Sequence, residues 1–584
     1  MRPVRIGNCS GFYGDRMAAA REMVEGGPLD VLTGDYLAEL TMLILAKAQA
    51  KDPSGGYAKT FLAQLEQVLG TCSDRGIKIV ANAGGLNPAG LADAVRALGQ
   101  RLGIDVRVAH VEGDDLRGDL TAISPAPSGR PVSANAYLGG WGIAEALAAG
   151  ADVVVTGRVT DASLVVGPAA WWHGWRPDEW DALAGAVVAG HVIECGPQAT
   201  GGNYAFGEEI TDRRYPGFPI AEVAADGSSV ITKHEGTGGL VSVGTVTAQV
   251  LYEIAGPAYP GPDVTAHFDT VALAQQGPDR VAVSGVRGSP PPPTLKVALN
   301  DVGGFRNTMT LVLTGLDIEA KAAHAEALLF EVLAEGEVSG RDRFAEVDVR
   351  LLRLDTADAP DNAQATAHLR ITVKDPDPTK VGRAFSSAVL ELALGGYAGF
   401  HTTTPPTAES AYGVYRPAAL PREAVEQVVV LPDGERRTVP DPPLTSPYPP
   451  APPEPARAGV PDGGATRRAP LGRVCGARSG DKGGDANIGI WARDDAAHAW
   501  MSDHLTVDRL RSLLGPEAAP LHIERFDLPN LRAINVVVHG LLGDGVASST
   551  RPDPQAKGLG EYLRSRIVEV PVSLLDRHHR GEGA

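Results

Sequence analysis

The chain has 584 residues, 43% of them hydrophobic and 21% charged, an ordinary globular composition in a chain too long for one hydrophobic core. Its net charge of −18 argues against a nucleic-acid partner and against an anionic membrane surface, while leaving room for a local basic site that takes an anionic small molecule. No apolar run approaches the ~18 residues of a membrane span. No signal-type apolar stretch opens the chain, and the four cysteines form no CxxC pair, so a cytoplasmic protein with reduced thiols is expected.

Residues 3–9 read as a first strand running into a turn rich in glycine and small polar groups, Asn8 to Arg16. A second strand at 29–33 ends in Gly34, Asp35 and Tyr36. Leu62, Leu65, Val68 and Leu69 mark a helix face over 58–69, and a third strand follows at 77–80. Asn87 then Pro88 is a helix-start signal, and Leu91, Val95, Leu98 and Leu102 give that helix its apolar face. A fourth strand is expected at 106–109. A loop and helix over 135–150 lead into Val153, Val154 and Val155, a run that does not alternate and so reads as a fully buried parallel strand. Regular strand–helix alternation over residues 1–185 predicts a parallel α/β sheet, doubly wound in preference to a barrel.

From 186 to 435 the texture changes to α+β, with helices at 319–334 and 379–394, an alternating strand at 367–373 and a rigid Ser289 to Thr294 proline loop. A proline-rich linker spans 436–470. Residues 471–572 read as strand 487–493, helix 498–513, strands 520–526 and 534–540, helix 556–566 and strand 567–571. That βαββαβ order predicts a small ferredoxin-like domain, with 573–584 as a tail.

The stretch after the buried strand, Thr156, Gly157, Arg158, Thr160 and Asp161, sits where open α/β sheets bind ligands. Arg158 and Asp161 are candidate site groups; the alternative is that they only pair, with Asp161 capping the next helix. Asp35 and Glu39, at another strand end, can serve as a base or bind a divalent metal, or simply cap. His234 and Glu235 in a glycine-rich loop can do acid–base work, although Gly238 stands where a zinc-protease motif needs its second histidine; a surface histidine is the equal alternative. Cys195 reads as an inert thiol rather than a nucleophile. Arg478, Ser479, Gly480, Asp481, Lys482 and Gly483 form a basic, glycine-rich loop suited to an anion, without the spacing of a nucleotide-binding loop. Dinucleotide, α/β-hydrolase and structural-zinc motifs are missing, so neither a cofactor nor a metal is assigned.

Five of these stretches, taken in order, resemble one family. They are Gly7 to Arg16, Leu32 to Glu39, Asn82 to Pro88, Val155 to Ser163 and Arg478 to Gly483, and the family is the acyclic terpene utilisation AtuA family. The resemblance covers nearly the whole chain and implies a large N-terminal domain followed by a ferredoxin-fold domain. It also implies catabolism of acyclic terpenoids or related branched acids through acyl-CoA esters, one of them carboxylated. A coenzyme A thioester is then the expected substrate carrier. The family does not bring a reaction; the polar, glycine-rich strand ends and the basic loop make hydratase or lyase chemistry the expected class, and the base rate for large α/β proteins makes a homo-oligomer the expected assembly. The alternatives are a non-catalytic partner or scaffold of an acyl-CoA carboxylase pathway and, more weakly, a metal-dependent phosphoester hydrolase.

Overall fold

The structure is a computed structural model that describes residues 2–127, 129–448 and 464–579. It divides into two compact units: residues 1–300, 415–546 and 553–584 form the first, and residues 301–414 with 547–552 form the second.

The first unit is built on an 11-stranded sheet. Its middle is the parallel sheet expected from the sequence. The strands Val4–Asn8, Val31–Gly34, Lys78–Ala81, Val153–Thr156 and Val108–Glu112 lie side by side in that order, all parallel. Val153–Thr156, the last of these five along the chain, inserts between Lys78–Ala81 and Val108–Glu112, so the direction of winding reverses there. Both faces are covered, which is why these strands are apolar without alternation. Val153 and Val155 pack on one side with Met23, Leu65, Leu91 and Val95, whereas Val154 packs on the other with Ile143, Val165 and Val188.

The sheet does not end with the parallel strands. Pro219–Val223, Ser229–Lys233, Arg280–Ser284 and Ala272–Gly277 extend one side antiparallel, and Val428–Val430 and Arg436–Thr438 extend the other. Arg436–Thr438, and Thr466–Pro470 beyond it, are strands although their sequence falls within the expected linker; the prolines cluster between them. The central part of that linker, 449–463, and the end of the expected tail, 580–584, lie outside the described residues. Residues 241–253, whose pattern fits a strand as well as a short helix, are helical over Val243–Val250, started by a capping box in which Ser242 Oγ accepts from Thr245 N.

The C-terminal ferredoxin-like domain carries one strand more than expected. Cys475–Lys482 and Asp485–Ala492 form a hairpin across a Gly483-Gly484 turn, with Gly483 at φ 63°. The four-stranded sheet runs Cys475–Lys482, Asp485–Ala492, Ala533–Val538, Ile523–Leu528. The helix expected over 498–513 is two helices, Asp495–His504 and Val507–Leu514, because Thr506 Oγ1 accepts from Arg509 N and starts a new helix. The last strand, Ile567–Pro571, pairs with Thr466–Pro470.

The second unit is α+β. Strand Glu346–Leu352 pairs antiparallel with Thr366–Asp375, which pairs antiparallel in turn with the later part of the long strand Thr294–Thr314. Helices Ile318–Val332 and Phe385–Gly395 cover one face, burying Leu311, Ile371 and Val373 against Leu329, Phe385 and Val389. Among the described residues, no helix is long and apolar enough to cross a membrane.

Candidate functional site

Three neighbouring parallel strands end at one place. Val31–Gly34 delivers Asp35, Lys78–Ala81 delivers Asn82, and Val153–Thr156 delivers Arg158 and Asp161. Asn82 is fully buried and ties two of these ends together. Its Nδ2 donates to Asp35 Oδ1 at 2.6 Å, and its Oδ1 accepts from Tyr36 N at 2.7 Å. Arg158 is only 4% exposed. Its backbone N donates to Asp114 Oδ2 at 2.8 Å, and its Nη1 donates to Leu37 O and to Asp161 Oδ1, each at 2.9 Å. The guanidinium lies 4.3 Å over the Tyr137 ring. Gly157 is required by this arrangement, since a Cβ there would fall 2.2 Å from Asp114 Oδ1. Asp161 does not cap the following helix with its side chain; the carboxylate is turned instead to Arg158.

A second wall comes from residues that sequence reasoning passed over or undervalued. The helix Trp180–Ile193 ends at His191, Glu194 and Cys195, and the helix Val243–Val250 leads to Tyr252 and Glu253. Burial pushes the Glu194 carboxyl well above the usual range, with Asp161 and Glu253 adding to it while Arg158 and Lys482 oppose. Burial likewise raises Asp35, helped by Asp161 and Glu194 and opposed by Arg158 and Asn82. Burial lowers His191 to about 4, so its imidazole is neutral at pH 7. His191 Nδ1 stands 3.2 Å from Glu194 Oε1, and its ring packs against Tyr259 and Phe268. For Arg158, burial works against the charge, but Asp161, Tyr137 and Asp35 outweigh it and hold the guanidinium firmly protonated. Desolvated Asp35, Arg158 and Glu194 therefore belong to one charge-coupled cluster with half-buried Asp161 and Glu253.

The C-terminal domain supplies the third wall. The residues expected to form a basic loop are a strand and its turn. The glycines and alternating charges that resemble a loop hide a period of two. Arg478, Gly480 and Lys482 face the N-terminal part: Arg478 donates to Gln198 Oε1 and lies 4.6 Å over the Tyr252 ring, Gly480 lies against that ring, and Lys482 Nζ donates to Glu253 O at 3.0 Å. Ser479 faces the opposite way and is structural, donating to Ala556 O at 2.6 Å and accepting from Gly560 N at 2.8 Å. Lys557, which no sequence motif marked, donates to the Tyr252 hydroxyl and stands 3.6 Å from Glu253 Oε1 and 3.5 Å from Asp481 Oδ1. Burial lowers its pKa. Half-buried Cys195 is pushed well up by desolvation and by Glu194 and Glu253, so it is a thiol and a poor nucleophile.

His234 and Glu235 are placed elsewhere. His234 is buried against Gly26 and Gly27, with Nε2 2.8 Å from Met23 O, and burial lowers its pKa. It holds the end of the Ala19–Glu25 helix against the sheet, while Glu235 is exposed. The side chain of Glu39 lies outside the described residues.

Two family profiles match in the order of these walls. The acyclic terpene utilisation family protein AtuA profile matches residues 4–431, and the AtuA ferredoxin-like domain profile matches residues 469–569. No curated protein and no solved structure matches the chain. With more than half of its length matched, and both parts in order, the chain belongs to the acyclic terpene utilisation AtuA family, which implies a role in acyclic terpene utilisation.

Proposed function

We propose that the protein is an enzyme that moves protons on an anionic intermediate, an acyl-CoA ester or a carboxylated relative of one, in hydratase or lyase fashion during acyclic terpenoid or branched-acid breakdown. The observation that carries this reading is the desolvated cluster itself. Two carboxyls, Glu194 and Asp35, are raised well above the usual range beside the charged Arg158. Carboxyls whose pKa burial raises, coupled to a fixed cation, suit acid–base catalysis on a carboxylate or thioester. In this reading Arg158 binds the substrate carboxylate or thioester oxygen and Glu194 donates the proton. Asp35 and Asp161 set the field around Arg158, and Arg478, Lys482 and Lys557 attract the anionic carrier.

The test is turnover of a panel of branched acyl-CoA esters by wild type and Glu194→Gln. Loss of a general acid lowers kcat by about 10²–10⁴ while leaving substrate binding in place. Full turnover by Glu194→Gln, with folding intact, removes Glu194 from the role and the reading with it.

A further inference from the structure

The ferredoxin-like domain carries a second constellation, apart from the strand-end cluster. Across its sheet, Ile523 pairs with Val538 and Ala486 also pairs with Val538, so Asp485, His539 and His522 form one row over three adjacent strands. His539 N donates to His522 O at 3.0 Å, which fixes that register. Glu524 lies two residues from His522 and therefore on the same face. One ligand atom from each of His522, Glu524 and His539 lies within 4.8 Å of the others. The two imidazoles stack with centroids 5.3 Å apart.

The hydrogen bonds around His539 are those of a metal ligand with its outer support. Its Nδ1 is 3.0 Å from Asp485 Oδ2, and Asp485 is itself held by Gly540 N, which donates to Oδ1 at 2.8 Å. A carboxylate on one ring nitrogen fixes the tautomer and aims the other nitrogen outward. That other nitrogen, Nε2, stands 2.8 Å from Glu524 Oε2, in line with the second donor group of the constellation. The Glu524 side chain keeps 44% of its exposure, so an ion can enter from solvent.

We infer that His522, Glu524 and His539 bind a divalent transition-metal ion of the zinc class, with Asp485 as the positioning residue for His539. Two imidazoles and one carboxylate suit zinc, cobalt or nickel rather than magnesium or calcium, which take oxygen ligands. On binding, the ion takes the place of the proton between His539 Nε2 and Glu524, and that proton leaves to solvent.

The full-length protein, stripped with a chelator and dialysed, is titrated with Co²⁺ and then Zn²⁺. One equivalent of Co²⁺ is expected to give a visible d–d absorption band that Zn²⁺ displaces and excess Mg²⁺ does not. His522→Asn, at an exposed position, should lose the band while melting like wild type, and His539→Ala should lose it as well. Asp485→Asn should weaken binding about 10–100-fold without abolishing it. The inference is overturned if wild type takes up no stoichiometric Co²⁺ or Zn²⁺, or if His522→Asn binds as wild type does. Neither result bears on turnover by the strand-end cluster.

Discussion

Arg158 is the residue on which the cluster depends. It is buried, and its charge opposes the rise that burial imposes on Asp35 and Glu194 while it pairs with Asp161. Arg158→Ala leaves Asp161 and Asp35 without their cation and should cost about 3–5 kcal/mol of unfolding free energy, measured by urea titration. Gly157→Ala places a methyl group 2.2 Å from Asp114 Oδ1 and should cost about 1–3 kcal/mol by forcing the turn apart. Asp114 gives a pH signature. Burial raises it to about 7, although Arg158 N and Asn135 lower it. A carboxyl whose folded pKa exceeds its unfolded value contributes stability at low pH and loses it as pH rises to the folded pKa. Wild-type stability measured against Asp114→Asn should therefore fall by a few kcal/mol, at about 1.4 per unit, between pH 4 and 7, and level off above. A difference that stays constant across that range contradicts the assignment. The sequence disclosed Asp35, Arg158 and Asp161 because each follows an apolar strand directly, a position that sequence periodicity reveals. It did not disclose Glu194, Glu253 or Lys557. These follow helices or sit in loops, and only the folded chain brings them to the strand ends. His234 and Glu235 misled for the converse reason: glycines flanking a histidine suit both a flexible site and close packing, and here Gly26 and Gly27 pack on the ring.

At the scale of elements, the parallel core was legible and its edges were not. Five apolar strands buried on both faces leave a clear run in the sequence, whereas strands such as Ala272–Gly277 and Arg436–Thr438 are largely exposed and read as loop. Helix starts were legible where a side chain makes them. Asn87 Oδ1 accepts from Gly90 N at 2.9 Å, while its Nδ2 donates to Ser54 O and Gly55 O. Asn87→Ala should cost about 1–2 kcal/mol, visible as a lowered denaturation midpoint with an unchanged slope. The C-terminal hairpin was missed because glycine at 476, 480, 483 and 484 erased the alternation that identifies a strand. Those glycines allow close approach: a Cβ on Gly480 would sit 2.5 Å from the Tyr252 ring, and one on Gly484 would sit 2.2 Å from Gly543 O.

At the scale of the first unit, the ferredoxin-like domain is part of the site. Lys482 opposes the rise that burial gives the Glu194 pKa and donates to Glu253 O, so a residue of the last domain acts on a carboxyl nearly three hundred positions earlier. If Glu194 acts as the acid, the rate falls as pH rises through its raised pKa. Lys482→Met removes a group that lowers that pKa, so the alkaline limb of the kcat profile should move to higher pH. An unmoved limb means that Glu194 is not the group being titrated.

The most direct measurement is native mass spectrometry of the full chain with acyl-CoA esters and free CoA, repeated on Arg158→Ala and Lys482→Ala. The account predicts that wild type retains an acyl-CoA and that both variants bind it more weakly, because one site is built from the strand ends and the C-terminal hairpin together. Retention of a partner protein with no acyl-CoA bound, or binding that neither variant weakens, would contradict it.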